Sequence, residues 1–288
     1  MLALIFGGGG QDGVYLSDLL RKNQISFICL PHRLLDVSDF HAVKRIISKY
    51  HPDYIFNFAA ASTTRHDALF ENHAAISTGT LNILESVKRH CPTARVFITG
   101  SGVQFKNHGP IDENAKFEAT SPYSVARIQS VYAARYYRSL GIKAYVGYLF
   151  HHESHLRPSG HVSRMIVDAA KRITRGSDEK LVLGDISVVK EWAFAGDIVK
   201  AIWTLVNQDA VTEAVIGTGD GHSIQEWIEA CFGIMDWRNH IILKDDFSAE
   251  YKCLISNPLV IKSLGWKPEV NFYHLSWMMV TNKNVFIR

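Results

Sequence analysis

Apolar residues along this chain fall into short unbroken runs separated by segments in which they recur every three or four positions. The runs at Leu2–Phe6, Ser26–Leu30, 54–59, 95–99 and 144–150 are short and bounded by turn residues, which predicts buried strands. The segments 14–22, Phe40–Tyr50, 76–89 and 123–140 carry apolar residues at helical spacing. Strand and helix in alternation predict an α/β fold, a Rossmann-type doubly wound parallel sheet with crossover helices. From about residue 151 the pattern changes to polar loops bearing His and Arg, with a helix at 162–174, a strand at Leu181–Leu183 and a helix at 198–206. The expected organisation is a dinucleotide-type domain over 1–150 and a smaller substrate-binding lobe over 151–288, with later segments free to return to the sheet. Ligands of such sheets sit beyond the carboxyl ends of the strands. Chemistry is therefore expected in the loops after Phe6, Leu30, Ala59, Thr99 and Phe150.

Composition narrows the classes. With 288 residues and 47% hydrophobic content the chain can bury a large core. A formal charge of +3, without any long basic block, argues against nucleic acid and is compatible with a small anionic substrate. Cys29, Cys91, Cys231 and Cys253 are scattered without a C-x-x-C pair, which disfavours a zinc site or disulfide framework and fits a reducing cytoplasm. The fourteen histidines show no paired helical spacing backed by an acid, so no metal site is expected. No apolar run is long enough to span a bilayer, and the sequence opens directly into a strand, so neither membrane nor export is expected.

Directly behind the first strand stands Gly7-Gly8-Gly9-Gly10-Gln11-Asp12-Gly13. Read as G-x-x-G-x-x-G, Gly7 permits the tight turn, Gly10 lets the backbone approach a pyrophosphate, and Gly13 lets helix pack on strand. The helix start carrying Gln11 and Asp12 then faces the phosphates. After the second strand the chain reads Pro31-His32-Arg33, where an enzyme preferring NAD usually places an acid. Arg33 is suited to a 2′-phosphate, so NADP is favoured over NAD. Asp36 and Val37 follow as candidates beside the adenine, and Ala59 and Ala60 are candidates in the third loop.

The fourth strand ends near Ser101, and Ser121-Pro122-Tyr123-Ser124-Val125-Ala126-Arg127 opens a helix on which Tyr123 and Arg127 share one face. A Ser hydroxyl, a Tyr phenol and a cation suit hydride transfer at a carbinol carbon. The phenol exchanges a proton with the substrate oxygen, the Ser orients that oxygen, and the cation supports the phenolate.

These motifs, with His151-His152-Glu153-Ser154, Glu191-Trp192, Asp197, Gly217-Thr218-Gly219 and Gly265-Trp266-Lys267-Pro268, resemble the extended short-chain dehydrogenase/reductases, and most closely the GDP-mannose 4,6-dehydratase group. The resemblance implies tightly held NADP, a nucleotide sugar bound by a C-terminal lobe, and assembly through helices into a homodimer or homotetramer. Expected sugar-nucleotide contacts are His152, Glu153, Ser154, Arg164 and Lys190. Three positions depart from that pattern. The usual catalytic Lys is Arg127, the Glu that removes the C5 proton in the dehydratases is Val103, and Arg164-Met165 and Lys190 stand for Arg-Lys and Arg. Valine accepts no proton, so reduction of a 4-keto sugar, with GDP the first choice of nucleotide, is favoured on this reading. Dehydration with a substitute base, for which His108 is the nearby candidate while Gln104 can position a group but accepts no proton at neutral pH, and a non-catalytic nucleotide-sugar-binding protein remain the alternatives.

Overall fold

The computed structural model describes residues 1–61 and 63–283. Its centre is a six-stranded parallel sheet made of β1 (Leu2–Phe6), β2 (Ser26–Leu30), β3 (Tyr54–Asn57), β4 (Arg95–Ser101), β5 (Lys143–Leu149) and the strand Glu213–Ile216. From one edge the order is Glu213–Ile216, β5, β4, β3, β1, β2. Successive side chains point to opposite faces of a strand. Leu4, Phe6, Ile55, Val96 and Ile98 therefore enter one core, with Val43 and Ile47 of α2 (Phe40–Tyr50), Ile83 and Leu84 of the helix Gly79–His90, and Val131 of the helix Pro122–Ser139. Ala3, Ile5, Phe56 and Phe97 enter the other, with Leu16 and Leu20 of α1 (Gln11–Lys22) and Ile198, Ile202 and Leu205 of the helix Ala195–Val206. The neighbours of β1 are β2 and β3, so the order reverses beside β1, and the turn after Phe6 opens at that switch point.

The expected strands and helices are present with shifted ends. β3 stops at Asn57, β4 runs on to Ser101, and the helix expected at 76–89 begins earlier, as Leu69–Asn72 and a wider π-type turn at His73–Thr78 ahead of Gly79–His90. Beyond residue 150, Glu213–Ile216 adds a strand to the sheet and the helix Ala195–Val206 packs on one of its faces. A third core, built on Ile166, Trp192, Trp227, Phe272 and Met279, belongs to the C-terminal lobe, where the Trp192 and Trp227 rings stack at 4.4 Å. The lobe is tied down by buried carboxylates. Asp197 accepts the backbone N–H groups of Glu269 and Val270 at 2.8 Å each, and Glu191 accepts that of Thr218 at 2.6 Å. No helix among the described residues is long and apolar enough to cross a membrane.

Candidate active site

The glycine turn is shaped by close backbone approach. Gly7 has φ +74°, and a Cβ there would lie 2.7 Å from the Ala59 nitrogen; one on Gly13 would lie 2.5 Å from the Gly8 Cα. Gly10 stands at the N-cap of α1 without a side chain capping it, which leaves first-turn N–H groups for an anion. Asp12 in that first turn would repel an anion if unpaired. Its carboxylate instead meets His152 Nε2 at 2.9 Å, while His152 Nδ1 lies 2.7 Å from the Phe150 carbonyl. Burial opposes both charges, yet the pairing wins: Asp12 is held below the usual carboxylate range and His152 is raised above the usual imidazole range.

A cleft of ≈ 210 Å³ opens beside this turn and brings together Ser101, Tyr123 and Arg127 with Asp12, Ala60, His151 and His152. Ser101 is delivered by the end of β4. Tyr123 and Arg127 lie on the first turns of a helix that starts at Pro122, where Ser121 accepts the Ser124 N–H as its cap. The Arg127 guanidinium is buried, stands 5.0 Å from the Tyr123 ring centre, and donates from Nη1 to the Thr99 carbonyl at 2.6 Å. Its Nε is buried without a hydrogen-bond partner. An orphaned buried donor in the cleft, a glycine turn with no room for a side chain and an uncapped helix start together fit a dinucleotide lying from Gly7 to Arg127.

A family model described as GDP-mannose 4,6 dehydratase matches residues 29–279. The chain belongs to the GDP-mannose 4,6-dehydratase family. A family member from Arabidopsis thaliana, GDP-mannose 4,6 dehydratase 2, is 31% identical over 319 aligned residues that span 97% of this chain and 86% of the relative. The GDP-mannose 4,6-dehydratase of Vibrio cholerae is 28% identical, over 98% of this chain and 93% of its own. Among solved structures, UDP-glucose 4-epimerase from Thermotoga maritima with UDP-glucose superimposes with a TM-score of 0.88 at 20% identity, and RMD from Pseudomonas aeruginosa complexed with NADPH with 0.85 at 20%; each covers 98% of both chains. The architecture is thus that of the extended short-chain dehydrogenase/reductases.

Within this family frame several expected site residues are placed elsewhere. Glu153 and Ser154 are 0% and 1% exposed and lie outside the lining of the cleft. Glu153 accepts Arg157 Nε at 2.8 Å, and the Ser154 hydroxyl donates to Gln11 Oε1 at 2.6 Å, so Gln11 braces α1 on the lobe instead of presenting its amide to a ligand. Val37 is a core residue whose side chain fills the space over Gly79. Arg164 is bound to Asp168 at 2.9 Å and to the His155 carbonyl at 2.6 Å, outside the lining of both cavities described here. Arg33 and Asp36 are exposed in the loop after β2, where Asp36 accepts the Ser38 N–H at 2.8 Å. Ala59 lies against the Gly7 turn.

Lys190 lines a second cavity, also ≈ 210 Å³, with Val162, Ile186, Phe247 and Glu250, and Tyr251 stands between the two cavities, lining both. Burial pulls the Lys190 ammonium down to about 8 against the opposing pull of Glu153, and it lies 4.7 Å from the Trp192 ring. Neither Gln104 nor His108 lines the cleft. Gln104 is fully buried with its carbonyl on the Ser101 N–H at 2.8 Å, and His108 is exposed outside the cleft lining. Arg157 and Tyr251 were invisible to sequence reasoning, because nothing in their spacing marks a loop residue that folds back onto a site.

Proposed function

We propose that this protein is an NADP-dependent oxidoreductase that begins its reaction on a GDP-linked hexose by hydride transfer at C4. The observation that carries the reading is the convergence of Ser101, Tyr123 and Arg127 on one cleft beside the Gly7 turn. Tyr123 exchanges the proton of the C4 oxygen, Ser101 orients that oxygen, and Arg127 supplies positive charge beside the phenol. Gly7, Gly10, Gly13 and Arg127 hold the cofactor, which supplies the hydride acceptor. NADP is preferred because β2 is followed directly by Pro31-His32-Arg33, with Arg33 where an NAD enzyme usually carries an acid; the structural neighbours bind NAD or NADPH. Dehydration is the favoured outcome, since the relatives are named dehydratases. The preference for reduction, drawn from Val103, drops to a second reading. Lys190 and the second cavity receive the nucleotide end, and the protein assembles through the helices Gly79–His90 and Pro122–Ser139.

GDP-mannose with NADP, followed by mass spectrometry, tests this directly. Loss of one water supports dehydration, and a gain of two hydrogens on GDP-4-keto-6-deoxymannose with NADPH supports reduction. Tyr123→Phe is expected to abolish either while cofactor binding persists. Turnover that survives this substitution sinks the assignment, and cofactor binding without hydride exchange on any sugar nucleotide indicates a binding protein.

A further inference from the structure

Val103 leaves the cleft without a carboxylate where the family has its base, but the fold brings another proton acceptor into the same cleft. Leu149 pairs with Ser101 across β4 and β5, and a Cβ on Gly102 would touch the Phe150 ring at 2.8 Å. The residue after Phe150 is His151, which lines the cleft together with Ser101, Val103 and Tyr123. Beneath it lies Glu153, wholly buried. His151 Nε2 stands 2.8 Å from Glu153 Oε1, out of hydrogen-bond alignment until the ring turns, while Glu153 Oε2 is held by Arg157. The Trp192 ring packs edge-on against the imidazole at 5.1 Å.

We propose that His151, backed by Glu153, is the general base that acts on the carbon beside the oxidised centre, in the role that Val103 cannot fill. The inference rests on the hydride chemistry of the proposed function and deepens it. A buried carboxylate behind an imidazole fixes its tautomer and offsets part of the cost of the imidazolium formed when a proton arrives. With Nε2–H turned to Glu153, Nδ1 is left as the acceptor. Burial, reinforced by the Lys190 charge, keeps His151 uncharged, and the Arg157 and Lys190 charges keep Glu153 ionised against its burial. The resting pair is therefore a neutral base over an anion. With a ketone at C4, the C5–H bond breaks, its electron pair enters the C4–C5 enolate, and the proton goes to His151. Re-forming the carbonyl expels the C6 hydroxyl, which takes that proton and leaves as water. The step returns His151 to its neutral state and needs no oxidant of its own.

The test uses the full chain loaded with NADP and GDP-4-keto-6-deoxymannose in heavy water, reading deuterium at C5 by mass spectrometry and NMR. The wild type is expected to exchange C5, and His151→Asn and His151→Gln to lose at least about 100-fold of that rate, the usual contribution of a positioned base. Glu153→Gln keeps the imidazole and is expected to lower the ratio of C5 exchange to C4 hydride transfer, which a purely structural role would leave unchanged. Thermal unfolding and NADP binding report whether each variant is folded, and any one folded variant suffices. Absence of C5 exchange in the wild type, exchange confined to C3, or a folded His151 variant exchanging at the wild-type rate overturns the dyad. Reduction of bound NADP by GDP-mannose reports the proposed function separately: C5 exchange without any hydride transfer would refute that function and leave the dyad standing.

Discussion

Arg127 shows how much one residue can change within an otherwise preserved site. A Lys at this position would be a compact ammonium on a flexible stem; the guanidinium is planar and always charged, and here one arm is spent on the Thr99 carbonyl. Arg127→Lys is expected to keep hydride transfer within about tenfold while costing roughly 1–2 kcal/mol of stability through the lost hydrogen bond. Arg127→Met, which removes the charge, is expected to slow transfer by about 100-fold or more. Single-turnover kinetics separate the two, and a Met variant at full speed would remove the electrostatic role. His151 makes a second prediction at this scale. Its imidazole is pushed down to about 3 by burial and by Lys190 and Arg157, against Glu153. Below its unfolded value of about 6.5 the unfolded chain therefore binds the extra proton, so stability falls as pH falls through that window. Denaturant unfolding of His151→Gln between pH 7 and 5 is expected to show a slope shallower than the wild type's by on the order of 1–2 kcal/mol. His152, raised by Asp12, acts with the opposite sign and cancels in the comparison.

At the scale of elements, the turn between β1 and α1 depends on a lack of side chains. Gly13→Ala would press a methyl into the Gly8 backbone, which has no flexible end to yield, so helix and turn must separate. The expected result is a loss of NADP affinity of at least about tenfold with lowered thermal stability; unchanged binding by calorimetry would contradict the cofactor assignment of this turn. Such a turn was legible in the sequence because its glycines are forced by local geometry, and β1 was legible because burial on both faces writes a continuous apolar run. Glu213–Ile216 was not. Four residues are too few for a period, and the feature that fixes the strand at the sheet edge is tertiary: Glu213 is gripped by Arg135 at 2.7 Å, by Arg138, and by the Tyr148 hydroxyl from elements 65 or more residues earlier. Burial opposes the charge, but these partners hold the Glu213 carboxyl at about 2. Glu213→Ala is expected to cost about 2 kcal/mol, less than a fully buried pair because Arg135 is 40% exposed. The site was legible in the same uneven way. Ser101, Tyr123 and Arg127 follow from strand end and helix face, whereas the burial of Glu153 under His151 depends on how the chain after β5 folds over Arg157, which no local spacing encodes.

At the scale of the whole molecule, one group of exposed apolar side chains lies on two adjoining helices. Val125, Tyr132, Tyr136 and Leu140 recur at helical spacing along and just beyond Pro122–Ser139, with Tyr132 and Tyr136 58% and 60% exposed. Beside them Leu81 of Gly79–His90 is 46% exposed and Phe70, on the preceding turns, 83%. The two rows adjoin, since Ser77 at the edge of one donates to Gln129 on the other at 2.6 Å. Two adjacent helices with a shared apolar stripe form a surface that a second copy can cover isologously, each pair packing on its symmetry mate as four helices. The opposite face of Pro122–Ser139 holds Arg127 against Thr99, so assembly and site geometry are carried by one rigid element. Analytical ultracentrifugation is expected to find a dimer or a multiple of it. Tyr136→Glu, which places a charge in the middle of the stripe, is expected to shift the protein to monomer and to raise the Kd for self-association by 100-fold or more, equivalent to about 3 kcal/mol. A wild type that sediments as a monomer at micromolar concentration would leave these aromatics facing another partner. Because Tyr123 stands on the first turn of the same helix, the monomeric variant is further expected to bind NADP but to transfer hydride more slowly than the dimer at equal site concentration.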